Sequence, residues 1–186
     1  MGFEILALFI GFILGWLKKG SFWNLTNLPL RGLLTLPVAF VLEYLSVHVF
    51  SGLMYEVSIV VSYILSLVFC ALNFRLPGVV WAGLGTLSNF IAMAANGLRM
   101  PVYLPAVKQM GAGLVERLLH GDFNKSIAMS SHTRLNFLGD IFSIRVPPPS
   151  IISIGDILIM TGIIILVQYG MTMARRETRR ESSVME

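Results

Sequence analysis

The chain has 186 residues, of which 55% are hydrophobic and 13% charged, with a mean hydropathy of +0.77. Soluble domains carry about 25% charged residues, so this composition excludes an ordinary water-soluble globule and predicts an integral membrane protein. A net charge of +4 and a pI near 9.5 would point to nucleic acid in a soluble chain, but most of the basic residues here flank apolar stretches and read as topology signals, so no nucleic-acid partner is expected. One cysteine, Cys70, excludes an intrachain disulfide.

Five apolar stretches are expected to span the bilayer. The first covers residues 3–17, and because Lys18 and Lys19 follow it rather than precede it, it reads as a retained helix and not as a cleaved signal peptide. A connector with Phe22, Trp23, Leu25 and Leu28 among Asn24 and Asn27 suits the headgroup layer. The second and third spans cover residues 33–50 and 56–72. The fourth covers residues 77–96, where Pro77 is tolerated because the first helical turn needs no amide donor.

A long connection follows. Ala106 to Leu119 sets Val107, Met110, Leu114 and Leu118 at helical spacing among Lys108, Glu116 and Arg117, which predicts an interfacial helix. Gly121 to Arg134 is polar and turn-like, Leu135 to Ile144 is a short apolar piece, and Pro147, Pro148 and Pro149 break any helix. The fifth span covers residues 153–174 and opens with Ser153 three residues before Asp156, a capping-box spacing with Asp in place of Glu or Gln. No linker or repeat interrupts the chain. The expected fold is therefore all-α: a single integral membrane bundle of about five transmembrane helices over residues 1–174, an interfacial helix between the fourth and fifth, and a basic cytoplasmic tail over residues 175–186.

Charge orients the bundle. Arg175, Arg176, Arg179 and Arg180 directly after an apolar run predict a cytoplasmic C-terminal end. Lys18, Lys19, Arg31 and Arg75 then also fall inside, and the connection from His48 to Glu56, without Lys or Arg, falls outside with the N-terminal end. The connection between the fourth and fifth spans carries Arg99, Lys108, Arg117, Lys125, Arg134 and Arg145 on the outer side; at roughly sixty residues it is long enough for its charge to stop governing orientation.

Gly11 and Gly15 form a GxxxG pair, and Ser58, Ser62, Ser66 and Cys70 form an i, i+4 ladder. Both read as close-packing seams. Glu43 is an ionisable group inside the second span, costly unless it pairs, protonates or meets water, while His48 is expected at the outer headgroups. Asn89 and Asn96 share one face of the fourth helix, for helix-to-helix amide bonding or for substrate contact.

The densest polar signal is Asn96-Gly97-Leu98-Arg99-Met100-Pro101-Val102. Pro101 disfavours helical geometry at Met100, so the fourth helix should end here. Arg99 is then left either to satisfy terminal carbonyls or to hold a phosphate or carboxylate with its planar fork. His132, Asn136, Asp140 and Asp156 share its side of the membrane by parity. Their spacing matches no metal signature, and no cofactor is expected; Asp140 after Gly139 reads as a turn, and Asp156 as a helix-start charge or an ion partner for Arg99.

The string from Asn96 to Val102, with Leu138-Gly139-Asp140-Ile141 and Ser153-Ile154-Gly155-Asp156, resembles the small multipass bacterial membrane family named domain of unknown function 5317, with Leu98 where the family pattern has Gly. The resemblance implies a five-helix protein of a bacterial cytoplasmic membrane and no established activity. Three functions stay open. One is a binding or transport component holding an anionic small molecule or lipid headgroup on Arg99, with Asn96, His132 and Asn136 around it and Asp140 and Asp156 orienting it. The second is a lipid-modifying enzyme using the Ser130, Ser131, His132 region, for which adjacency makes no triad. The third is an accessory subunit of a larger membrane complex.

Overall fold

A computed structural model describes residues 2–144 and 150–184 of the chain. Pro147, Pro148, Pro149 and Arg145 lie outside the described residues, as do the side chains of Arg175, Arg176, Arg179 and Arg180. The molecule is mostly helical. Helices α1 (Gly2–Leu17), α2 (Thr35–His48), α3 (Gly52–Leu72), α4 (Val79–Ala94) and α7 (Ile154–Val184) overlap the five apolar stretches, and α7 runs on past the expected end at residue 174 into the basic tail. Two of them are long and apolar enough to cross a membrane, α3 and the Ile154–Met173 part of α7; α1, α2 and α4 are shorter apolar helices.

The major contacts run α2 to α3, α3 to α4, α4 to α7 and α7 to α1, so the helices stand in a row with α7 between α4 and α1. Small residues set the spacing along that row. A Cβ at Gly11 would lie 3.0 Å from the Cβ of Val167, and Gly15 sits against Met171, so the GxxxG pair of α1 is its contact with α7. On the other side of α7, a Cβ at Gly162 would lie 2.5 Å from the carbonyl oxygen of Gly78, and one at Gly85 would lie 2.9 Å from the amide nitrogen of Ile159. The two backbones touch there. The serine ladder of α3 is likewise a seam: Ser58 and Ser62 are buried, the Ser66 hydroxyl donates to the Ser62 carbonyl at 3.0 Å, and the Cys70 side chain faces Gly83.

At one end of the row the chain is stitched by amides. Asn73 is buried; its Nδ2 donates to the Arg31 carbonyl and its Oδ1 accepts from the Arg31 amide, each at 2.8 Å, and Nδ2 also donates to the Phe69 carbonyl at 2.9 Å. The connector Phe22–Asn27 is a 3-10 turn against α7, where Asn24 Nδ2 and the Ser21 amide both donate to the Met171 carbonyl.

At the other end, residues 95–144 and 150–153 build a cap that differs from the expected single interfacial helix. It holds two short helices, α5 (Leu104–Lys108) and α6 (Ala112–His120), separated at Gly111, whose φ of 139° no continuous helix admits. It also holds four three-residue strands: β1 (Met100–Val102) pairs in parallel with β2 (Ser126–Ala128), and β3 (Phe142–Ile144) pairs antiparallel with β4 (Ser150–Ile152). The apolar stripe of the predicted helix faces this small sheet. Val107 and Leu118 are buried with Val102, and Leu114, Phe123 and Ala128 pack on them.

The row depends on the absence of side chains at the α4–α7 contact. Gly85→Ala is expected to push the two helices apart and cost about 1–3 kcal/mol, read as a lower melting temperature of the detergent-solubilised protein. Gly113→Ala, in α6 with open space around it, is the control: it should leave stability unchanged or raise it by up to about 1 kcal/mol.

Candidate functional site: the polar cap

Three polar constellations lie under or on the cap. The innermost joins α4 to the start of α7. Asn89 Nδ2 donates to Asp156 Oδ1 at 2.7 Å, the Ser153 hydroxyl donates to Asn89 Oδ1 at 2.8 Å, the Ser153 amide donates to Asp156 Oδ2 at 2.9 Å, and the Asp156 amide donates to Ser153 Oγ at 3.0 Å. All three residues are buried, Ser153 completely. The last two bonds are the reciprocal capping box that the Ser153 to Asp156 spacing predicts, formed with Asp in place of Glu or Gln. Asn89 is the helix-to-helix amide link. Gly155 makes room for it, since a Cβ there would collide with the Asn89 carboxamide.

The second constellation surrounds Glu43. Its carboxylate forms an ion pair with Lys125, which the cap delivers from the turn before β2. The Lys125 ammonium also lies 5.6 Å from the centroid of the Tyr63 ring, which stacks on Phe90 at 5.4 Å. Asn124 Nδ2 reaches the Val47 and Phe50 carbonyls at the end of α2, and the Met100 amide donates to the Lys125 carbonyl at 2.7 Å. His48 stacks on Tyr44 with its ring nitrogen 3.0 Å from the Tyr44 carbonyl.

The third is the outer rim. Asn96 is fully used: its Nδ2 donates to the Ala92 and Arg134 carbonyls and its Oδ1 accepts from the Arg134 amide, all at 2.7 Å. The Arg99 amide donates to the Asn96 carbonyl at 3.3 Å, so both arginines are anchored by their backbones to this one asparagine. Both are exposed, and neither guanidinium has a hydrogen bond or ion pair among the described residues. Helix α4 ends at Ala94, ahead of the position that Pro101 alone requires, because Gly97 (φ 65°) and Leu98 (φ 61°) turn the chain sharply. Leu98 therefore adopts the left-handed conformation natural to glycine, held by the Tyr55 hydroxyl, which donates to the Leu98 carbonyl at 2.6 Å.

The remaining predicted residues distribute unevenly. His132 is exposed in a turn, with its amide donating to Ser130 Oγ at 3.2 Å. Asn136 begins a 3-10 turn, Asn136–Leu138, beside α4, and its Oδ1 is buried without a partner among the described residues. Asp140 is not a turn residue: its amide donates to the Pro101 carbonyl at 2.8 Å and its carbonyl accepts from the Tyr103 amide at 2.9 Å, because β1 offers an open edge that residue 140 fills. Burial pushes the Asp140 carboxyl well above the usual carboxylate range, and the nearby Asp156 carboxylate adds to this while Lys125 opposes it. Asp156 is bound by Asn89 and Ser153, and no ion pair joins it to Arg99 among the described residues. Among the same residues, no group of three or more His, Cys, Asp or Glu could hold a metal ion. Lys125 and Tyr63 were not predicted as site residues. Glu43 and Lys125 lie 82 positions apart, and no local pattern announces such a pair.

Removing the Asp156 carboxylate orphans buried donors. Asp156→Ala is expected to cost about 1–3 kcal/mol for each donor left unpaired, measured as loss of thermal stability. For Asp140 the sign is opposite. An acid raised on folding leaves the native state holding more protons than the unfolded chain, so stability falls as pH rises from the ordinary carboxylate value to the raised one. Asp140→Asn should therefore raise the melting temperature at neutral pH and flatten that slope; a slope unchanged by the substitution would assign it to another group.

Residues 27–168 match the model of a family of unknown function, DUF5317. A protein of Thermotoga maritima described as an uncharacterized protein is 27% identical over 148 residues, covering 78% of this chain and 79% of its own length. No solved structure matches.

Proposed function

Because the chain belongs to the DUF5317 family, whose description supplies no activity, we propose from its own residues that it is a five-span integral protein of a bacterial cytoplasmic membrane. Its N-terminal end lies outside, its C-terminal end inside, and its outer cap binds an anionic small molecule or lipid headgroup on Arg99. The observation that carries the membrane reading is the apolar surface of the helix row. Phe9, Leu34, Leu53 and Trp81 are 63%, 79%, 73% and 48% exposed, and they stand among many similar neighbours on α1 to α4. Soluble monomers rarely expose contiguous apolar patches larger than a few hundred Å². A core helix of a soluble protein is mostly buried, whereas 28% of the α3 apolar window is, which supports the membrane reading.

The shorter helices are compatible with spanning. The 14 residues of α2 cover about 21 Å at 1.5 Å per residue, and Leu33, Leu34, Val49 and Phe50 extend its apolar stretch at both ends. The bilayer thins locally to meet the rest. Lys18, Lys19, Arg31 and Arg75 lie on the end of the row opposite the cap, as the positive-inside bias requires of a cytoplasmic face.

Anion binding rests on the rim. Arg99 and Arg134 offer exposed guanidinium groups from a backbone fixed at Asn96, and the planar fork suits phosphate or carboxylate. Asp156 is committed to the α4–α7 clasp, so it takes no part in orienting Arg99.

Two measurements test this reading. In intact cells of a Cys70→Ser, Glu186→Cys variant, an impermeant maleimide should leave the tail unmodified until the membrane is opened; modification without opening overturns the orientation. Phosphatidylglycerol nanodiscs or inorganic phosphate should raise the melting temperature of the wild type relative to phosphatidylcholine or chloride controls. Arg99→Lys should lose that rise while keeping the ligand-free melting temperature. An equal rise in the variant removes Arg99 from the site.

A further inference from the structure

Neither the α4–α7 clasp nor the arginine rim uses the Lys125 ammonium, and its surroundings are those of a bound ligand. Glu43 supplies the counter-charge, the Tyr63 face lies against the ammonium, and the Asp156 carboxylate acts on it through space. A carboxylate beside an aromatic face recognises organic ammonium groups, because the ring quadrupole and the anion attract the same cation. Tyr63 is held for this by its stacking on Phe90 and by burial in the core of α3 and α4.

The occupant comes from the cap, not from a helix. Lys125 follows a turn through Gly121 (φ 78°) and precedes β2; its carbonyl accepts from the Met100 amide, Asn124 reaches two carbonyls at 3.3 Å each, and Phe123 packs on the Val102 cluster. Among the described residues, the ion pair of Glu43 is with Lys125. Displacement of the Lys125 side chain would leave a carboxylate and an aromatic face without their cation.

We infer that Glu43 and Tyr63 form a binding site for an alkylammonium-class cation, and that Lys125 is its built-in occupant, an autoinhibitory contact with which a free primary amine competes. This site shares no residue with the anion-binding rim, so either can fail without the other.

The test uses the full chain in detergent, with n-propylammonium chloride as probe and sodium chloride at equal ionic strength as control. Lys125→Ala should gain a saturable rise in melting temperature of several degrees with propylammonium, the wild type a smaller rise at the same concentration, and Lys125→Ala/Glu43→Gln should be unresponsive. A Lys125→Ala response no larger than that to sodium, or one undiminished by Glu43→Gln, overturns the proposal. If Lys125→Ala does not accumulate, hydrogen exchange of the wild-type Met100 amide decides. Acceleration by propylammonium over sodium supports competition for the site, and an unchanged rate overturns it.

Discussion

The contact between α4 and α7 is the constraint on which the other features depend. Glycines at 78, 85, 155 and 162 let two backbones meet, and in that narrow gap Asn89, Ser153 and Asp156 satisfy one another. Neither half suffices alone. In an apolar surrounding, close approach gives dispersion without direction, whereas a buried polar network fixes register only if each member is paired. Because the same three residues also start α7, the clasp sets where the cap ends and where the last helix begins. Everything the cap presents is therefore referred to one buried point.

Two electrostatic regions with opposite preferences follow from this placement. Outside, Arg99 and Arg134 stand in solvent on a turn fixed at Asn96. Beneath, Glu43, Asp140 and Asp156 gather on the side of Lys125, and desolvation holds the Asp140 carboxyl toward its neutral form.

The helices were legible because each is an apolar run of sufficient length, and the seams were legible because small residues recur at helical spacing, as Gly11 and Gly15 against α7 illustrate. The capping box at Ser153 and Asp156 was readable from its spacing, though the participation of Asn89 was not. The cap was read poorly. Three-residue strands such as β1 and β2 carry no alternation that can be recognised, and the break at Gly111 turns one amphipathic stripe into two helices around a small core. Of the proposed rim residues, Asn96 and Arg134 meet through backbone and carboxamide, while Lys125 finds Glu43 only through tertiary folding. Leu98 adopts a glycine-like turn because Tyr55 holds its carbonyl, a contact that nothing near Leu98 in the chain announces.

The order of helices in the row has a consequence for biogenesis. Helix α7 is synthesised after both of its neighbours, yet it stands between them. Until it emerges, α1 has no major partner in the row and α4 has one open flank, so the glycine faces of both stay uncovered. Docking of a single late segment then joins two halves at once. Assembly should accordingly be abrupt rather than stepwise, with truncations that stop short of Ile154 leaving α1 unattached.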